Sequence, residues 1–156
     1  IKKLKNEDEG KLDLKSREIP EDLGFRVFKL AESNYKVWTG VEERDTQSYF
    51  KTMDGFTDPL APGWKPETLI WEVAVKEGYG LNSKIELVPG LKGNHVHRVT
   101  DPDKQQSFRI CLDSSLKKEA IKALDLGKED LFICRDAALD DELAANLALQ
   151  CRLKTI

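Results

Sequence analysis

The sequence predicts an α+β fold, a small mixed β-sheet with helices packed on it, preceded by a polar N-terminal arm. Three observations carry that expectation. Leu69, Ile70, Val73 and Ala74 recur at helical spacing within residues 66–76. Two β-prone runs flank Asp101-Pro102-Asp103-Lys104, a cluster of turn formers that reads as the tip of a hairpin. The short run Leu131-Phe132-Ile133-Cys134 precedes a segment with Leu143, Leu147 and Cys151 spaced four apart, the order of a strand and then a helix.

Taken in order, residues 1–22 are almost wholly polar and read as a solvated arm or interdomain connector, which leaves 23–156 as a single domain. Phe25-Arg26-Val27-Phe28-Lys29-Leu30 alternates imperfectly and predicts a first strand. Between Val41 and Trp64 the turn residues Gly55, Pro59, Pro62 and Gly63 predict mostly loop, with a short helix over 47–53. Pro66 suits a first helical turn because its missing N–H has no partner there anyway, and Glu67 suits the positive end of the helix dipole. That helix is expected to reach Lys76 and stop at Gly78. Residues 84–88 predict a strand, and 96–100 with 107–112 the hairpin. Asp113, Ser114 or Ser115 is expected to cap a helix that buries Leu116, Ala120, Ile121 and Leu124 and ends by Gly127. Asp140 or Asp141 is expected to start the last helix.

The chain has 156 residues, long enough for a core without metal or disulfide staples. It begins at Ile1 rather than Met and is expected to be a piece of a longer protein. No apolar run approaches the ~20 residues of a membrane span, and the Lys-rich, then acidic N-terminus lacks the apolar stretch of a signal peptide, so a cytoplasmic location without membrane contact is expected. The formal charge is −3, with 13 basic and 16 acidic side chains before residue 81 and 12 of each after it. Strong nucleic-acid binding would call for clustered Lys and Arg, which this pattern lacks. Cys111, Cys134 and Cys151 are odd in number and widely spaced, as reduced core thiols are.

The signatures of chemistry are weak. His95 and His97 stand two apart, a spacing that puts both rings on one strand face, but a zinc site needs three or four ligands and no third is near in sequence. A strand-surface pair is the better reading. The carboxylates of Asp136, Asp140, Asp141 and Glu142 fit a helix start better than a cation site. The ten glycines form no G-x-G-x-x-G or G-x-x-x-x-G-K loop, and G-x-S-x-G is absent.

Three segments together resemble a known family. They are Gly24-Phe25-Arg26-Val27-Phe28-Lys29-Leu30 with Ser33-Asn34-Tyr35-Lys36-Val37-Trp38, then Glu67-Thr68-Leu69-Ile70-Trp71-Glu72-Val73-Ala74-Val75-Lys76-Glu77-Gly78-Tyr79, and finally Leu131-Phe132-Ile133-Cys134 through Ala145-Asn146-Leu147-Ala148-Leu149-Gln150-Cys151-Arg152-Leu153-Lys154. In order and spacing they look like the C-terminal region of the modification subunit of type III restriction-modification systems, and the likeness covers nearly all of 23–156. It implies a parent enzyme that methylates DNA adenine at a specific site using S-adenosylmethionine, with a restriction subunit as partner and DNA bound through the whole assembly.

The family's catalytic parts are not in this sequence. The resemblance would require an Asp/Asn/Ser-Pro-Pro-Tyr/Phe tetrapeptide to hold the target amine and an F-x-G-x-G-type loop to hold the cofactor. Asp58-Pro59-Leu60-Ala61 has only the first two letters and lacks an aromatic ring to stack on a flipped base, so it reads as a turn. No catalytic, cofactor or metal residue is therefore carried over, and the fragment alone is expected to be inactive, serving subunit or interdomain assembly. Asn146 and Gln150, one helical turn apart, are candidate interface residues, with an intrahelical side-chain pair an equally good reading; Trp38 is a third candidate, with Trp64 and Trp71 beside it, and core or loop packing is the better-supported role for each tryptophan. A stand-alone cytosolic interaction domain, a small-molecule enzyme and a nucleic-acid-binding module are the competing classes.

Overall fold

The computed structural model describes residues 26–38, 40 and 45–156. The polar arm expected over 1–22, and Gly24 and Phe25 of the first expected strand, lie outside the described residues. The chain divides between Glu32 and Ser33, and every element named below belongs to Ser33–Ile156. Arg26–Leu30 corrects one expectation: it forms no strand, and Val27, Phe28 and Leu30 are exposed. Alternation supplies an apolar face, but a strand also needs a neighbouring strand to pair with, and none of the described strands pairs with this segment.

The elements run α1 (Thr46–Gly55), α2 (Pro66–Lys76), β1 (Lys84–Leu87), β2 (Val96–Asp101), β3 (Gln106–Cys111), α3 (Lys118–Leu124), β4 (Leu131–Cys134), a 3-10 turn (Asp136–Ala138), α4 (Asp141–Gln150) and β5 (Arg152–Thr155). The five strands lie in sequence order in one sheet. β1, β2 and β3 pair antiparallel, whereas β3, β4 and β5 pair parallel. The predicted α+β class, with helices on a mixed sheet, is the observed one.

Two cores form because both sheet faces are covered. On one face Val96, Cys111, Phe132 and Cys134 pack with Leu116, Ile121 and Leu124 from α3 and its approach, and with Leu143 and Leu147 of α4. On the other, Val99, Phe108, Ile110 and Ile133 meet Leu69, Ile70, Val73 and Ala74 of α2. Parallel strands need long crossovers, and here both crossovers place their helix on the first face.

Helix α2 follows the predicted span, with Pro66 at its start and Glu67 and Lys76 at the ends the dipole favours. Gly78, at φ +83°, ends it: its N–H bonds Val75 O at 3.0 Å and the Tyr79 N–H reaches back to Ala74 O at 2.9 Å. That is a Schellman arrangement, which requires a left-handed residue. The expected hairpin is present, its register setting Val96 opposite Cys111 and Asp101 opposite Gln106. At its tip Asp101 is 1% exposed; its carboxylate accepts from the backbone of Asp103, Lys104 and, 2.8 Å away, Gly80. One side chain thus ties the turn to the loop after α2.

Two helix ends differ from expectation. α3 starts after Lys117 with no side-chain cap, because Asp113 is engaged by Asn94 Nδ2 and the His95 N–H, and the Ser115 carbonyl accepts from Asn94. α4 begins as predicted, Asp140 accepting from the Leu143 N–H at 2.7 Å. It ends at Cys151, however, and Arg152–Thr155 becomes the unpredicted edge strand β5. Cys151 stays buried, its thiol donating to Leu147 O.

Candidate partner interface

Glu72 builds the approach to this surface. Its carboxylate accepts from Ser33 Oγ at 2.5 Å, Asn34 N at 2.7 Å and Asn34 Nδ2 at 2.9 Å, and it pairs with Lys76 at 3.1 Å. Burial opposes its ionisation, but these hydrogen bonds outweigh that and hold its pKa down to about 2. Ser33 to Lys36 is thereby fixed along α2, and a single bridge joins Tyr35 to Leu60. Lys36 then closes the end of α1 by donating to Gly55 O and Asp58 O, the favourable place for a cation at a helix C-terminus.

Beyond this strap, apolar side chains face solvent. α1 is capped by Asp45, which accepts from the Ser48 N–H, yet it buries no residue. Tyr49 and Met53 stand at i and i+4 on α1, with Phe56 half-buried at its C-cap in the i+7 position, and Phe50 beside them is 60% exposed. Trp38, 48% exposed, closes the ridge with its ring 5.1 Å from that of Phe56. A soluble surface seldom groups so many large apolar side chains without a partner. The sequence placed a short helix here but not its aromatic ridge; the i, i+4, i+7 spacing was the available signal.

The three candidate interface residues do not converge. Asn146 and Gln150 are exposed on α4, on one side of the sheet, with Leu149 at 78% exposure beside them, and no hydrogen bond joins the two amides. Trp38 follows the strap whose Tyr35 packs in the core on the opposite side. Trp64 is partly buried in that core, with the Arg135 guanidinium 5.6 Å from its ring. Trp71, on α2, is half-buried.

His95 lies just ahead of β2, its Nδ1 3.4 Å from Asp113 on an open surface. The thiols are the strongest nucleophiles present, and burial pushes Cys111 up to about 11 and Cys134 up to about 12, far from a thiolate at neutral pH. Among the described residues no group of three or more His, Cys, Asp or Glu is placed to hold a metal. Asp58 serves structure, accepting from the Leu60 N–H and from Arg135. A cleft of about 490 Å³ between α2 and β5 is lined by Tyr35, Lys76, Glu77, Lys154 and Ile156, among others. Its ammonium groups are already engaged, Lys76 with Glu72 and Lys154 with Glu77. No described helix is long and apolar enough to cross a membrane. No family model, curated protein or solved structure matches the chain.

Proposed function

We propose that this chain is the C-terminal accessory domain of a type III modification subunit and serves assembly rather than chemistry. The parent would be a site-specific DNA adenine methyltransferase that uses S-adenosylmethionine. The three-segment resemblance supports the assignment, and the exposed ridge of Trp38, Tyr49, Phe50 and Met53 supports the role. Trp and Tyr are enriched among the anchors of protein interfaces, where a few residues carry most of the binding energy. The ridge would seat the remainder of the methyltransferase subunit or the restriction subunit, and DNA would be met through the assembled enzyme.

The test uses the complete subunit carrying Phe50→Asp with Trp38→Asp, co-purified with its restriction subunit. The variant should keep the thermal melting of the parent and lose most of the captured partner. Equal capture would remove the interface. A complete protein that transfers no methyl group from S-adenosylmethionine to adenine would remove the type III assignment, whatever the ridge does. The isolated chain should give no heat on titration with S-adenosylmethionine; micromolar binding at unit stoichiometry would show a cofactor site in this domain.

A further inference from the structure

His97 Nδ1 is a buried side-chain nitrogen with no hydrogen-bond partner. Such orphans are uncommon, and each calls for a reason. The ring belongs to β2, opposite Leu87 of β1 and Ile110 of β3. Alternation puts it on the face shared with Val99, the face that α2 covers. Ile110 is fully buried whereas Leu87 is exposed, so the imidazole stands where that core meets the edge of the sheet. A neutral ring tolerates the site best with its proton on Nε2, which leaves only a lone pair unmet at Nδ1. A protonated ring carries N–H donors at both nitrogens, and the one at Nδ1 would then be buried, charged and unpartnered.

The protonated ring can regain water most readily at the edge, because β1 is hydrogen-bonded to β2 alone. We propose that His97 is an acid-operated release for the β1 edge: proton uptake draws Nδ1 toward water by loosening Lys84–Leu87 from β2 and bares a strand edge able to pair elsewhere. Few charges offset this. On the same sheet face Asp101 is held by backbone N–H groups; Glu72 of α2 and Glu77 just past its end pair with Lys76 and Lys154, and Glu67 is exposed. Lys84, Glu86, Arg98 and Arg109 alternate onto the opposite face. Burial lowers the His97 pKa, the nearby His95 lowers it further, and Asp113 opposes both. A base with a lowered folded pKa binds its proton more readily once released, so the edge is secure above the ordinary histidine value of about 6.5 and weakens as pH falls from there toward the folded value.

Amide hydrogen-exchange protection, corrected for intrinsic rates and measured at pH 7.5 and 5.0, tests this directly. Protection in β1 should fall severalfold between the two pH values, while β4 keeps its own. His97→Leu should abolish the fall and His95→Gln should preserve it. A fall of equal size in His97→Leu, or unchanged β1 protection in the natural chain, overturns the proposal. Should His97→Leu not fold, NMR titration of the His97 ring in the natural chain decides: a midpoint below 6.5 in step with loss of β1 protection supports the release, and a midpoint at or above 6.5 overturns it.

Discussion

Glu72 shows how much one residue can organise. In the sequence it is a polar position on an amphipathic helix, four residues before Lys76, and nothing nearby marks it. In the fold it anchors Ser33 and Asn34 through three hydrogen bonds. Glu72→Gln should lower stability by about 1.5 kcal/mol at neutral pH, the lower end for bonds to a charged group because solvent screens the site. The acid dependence has a definite sign. With the folded pKa depressed from 4.5 to about 2, the carboxylate stabilises the fold at neutral pH and loses that contribution as pH falls through the interval between those values. Urea melts should show the gap between natural chain and variant closing toward pH 2; a gap independent of pH would assign the effect to packing.

At the scale of elements, α4 separates a core face from a surface face within ten residues. Leu147 is 1% exposed beneath it, and Leu147→Ala should cost on the order of 2–5 kcal/mol, as buried leucines do when the cavity collapses only partly. Asn146, one position away, faces outward, so Asn146→Ala should change stability by less than about 0.5 kcal/mol. Paired urea melts of the isolated chain measure both; a comparable loss for Asn146→Ala would place that amide in the core. α1 reverses this design, its apolar side chains pointing outward, which is why the proposed interface is placed on it.

Across the molecule, Cys111, Cys134 and Cys151 belong to one core beneath α3 and α4. Burial raises the pKa of all three, and each is sealed from reagents by the same packed layer. They should therefore react together, only through opening of that layer. Iodoacetamide labelling in native buffer should run at least roughly a thousandfold slower than in urea, given a typical domain stability of ~5–15 kcal/mol. Rapid native labelling of one cysteine would show that its part of the layer opens separately.

Local chemistry by itself determined α2, the hairpin, β4 and the start of α4. Their signals are complete within a few residues: Pro66 and Gly78 bound a 3.6-residue apolar stripe, turn formers separate two β-prone runs, and Asp140 caps the helix it precedes. Only the tertiary structure decided what depends on a distant partner. Arg26–Leu30 alternates without becoming a strand, whereas Arg152–Thr155 becomes one because β4 offers a free edge beside it. Asp113 was free to cap α3 until Asn94 and His95, brought close by the sheet, took its oxygens. The outward aromatic ridge of α1 and the stranded nitrogen of His97 are of the same kind, for burial and hydrogen bonding are settled by which surfaces meet, and a linear pattern says only which surfaces are available.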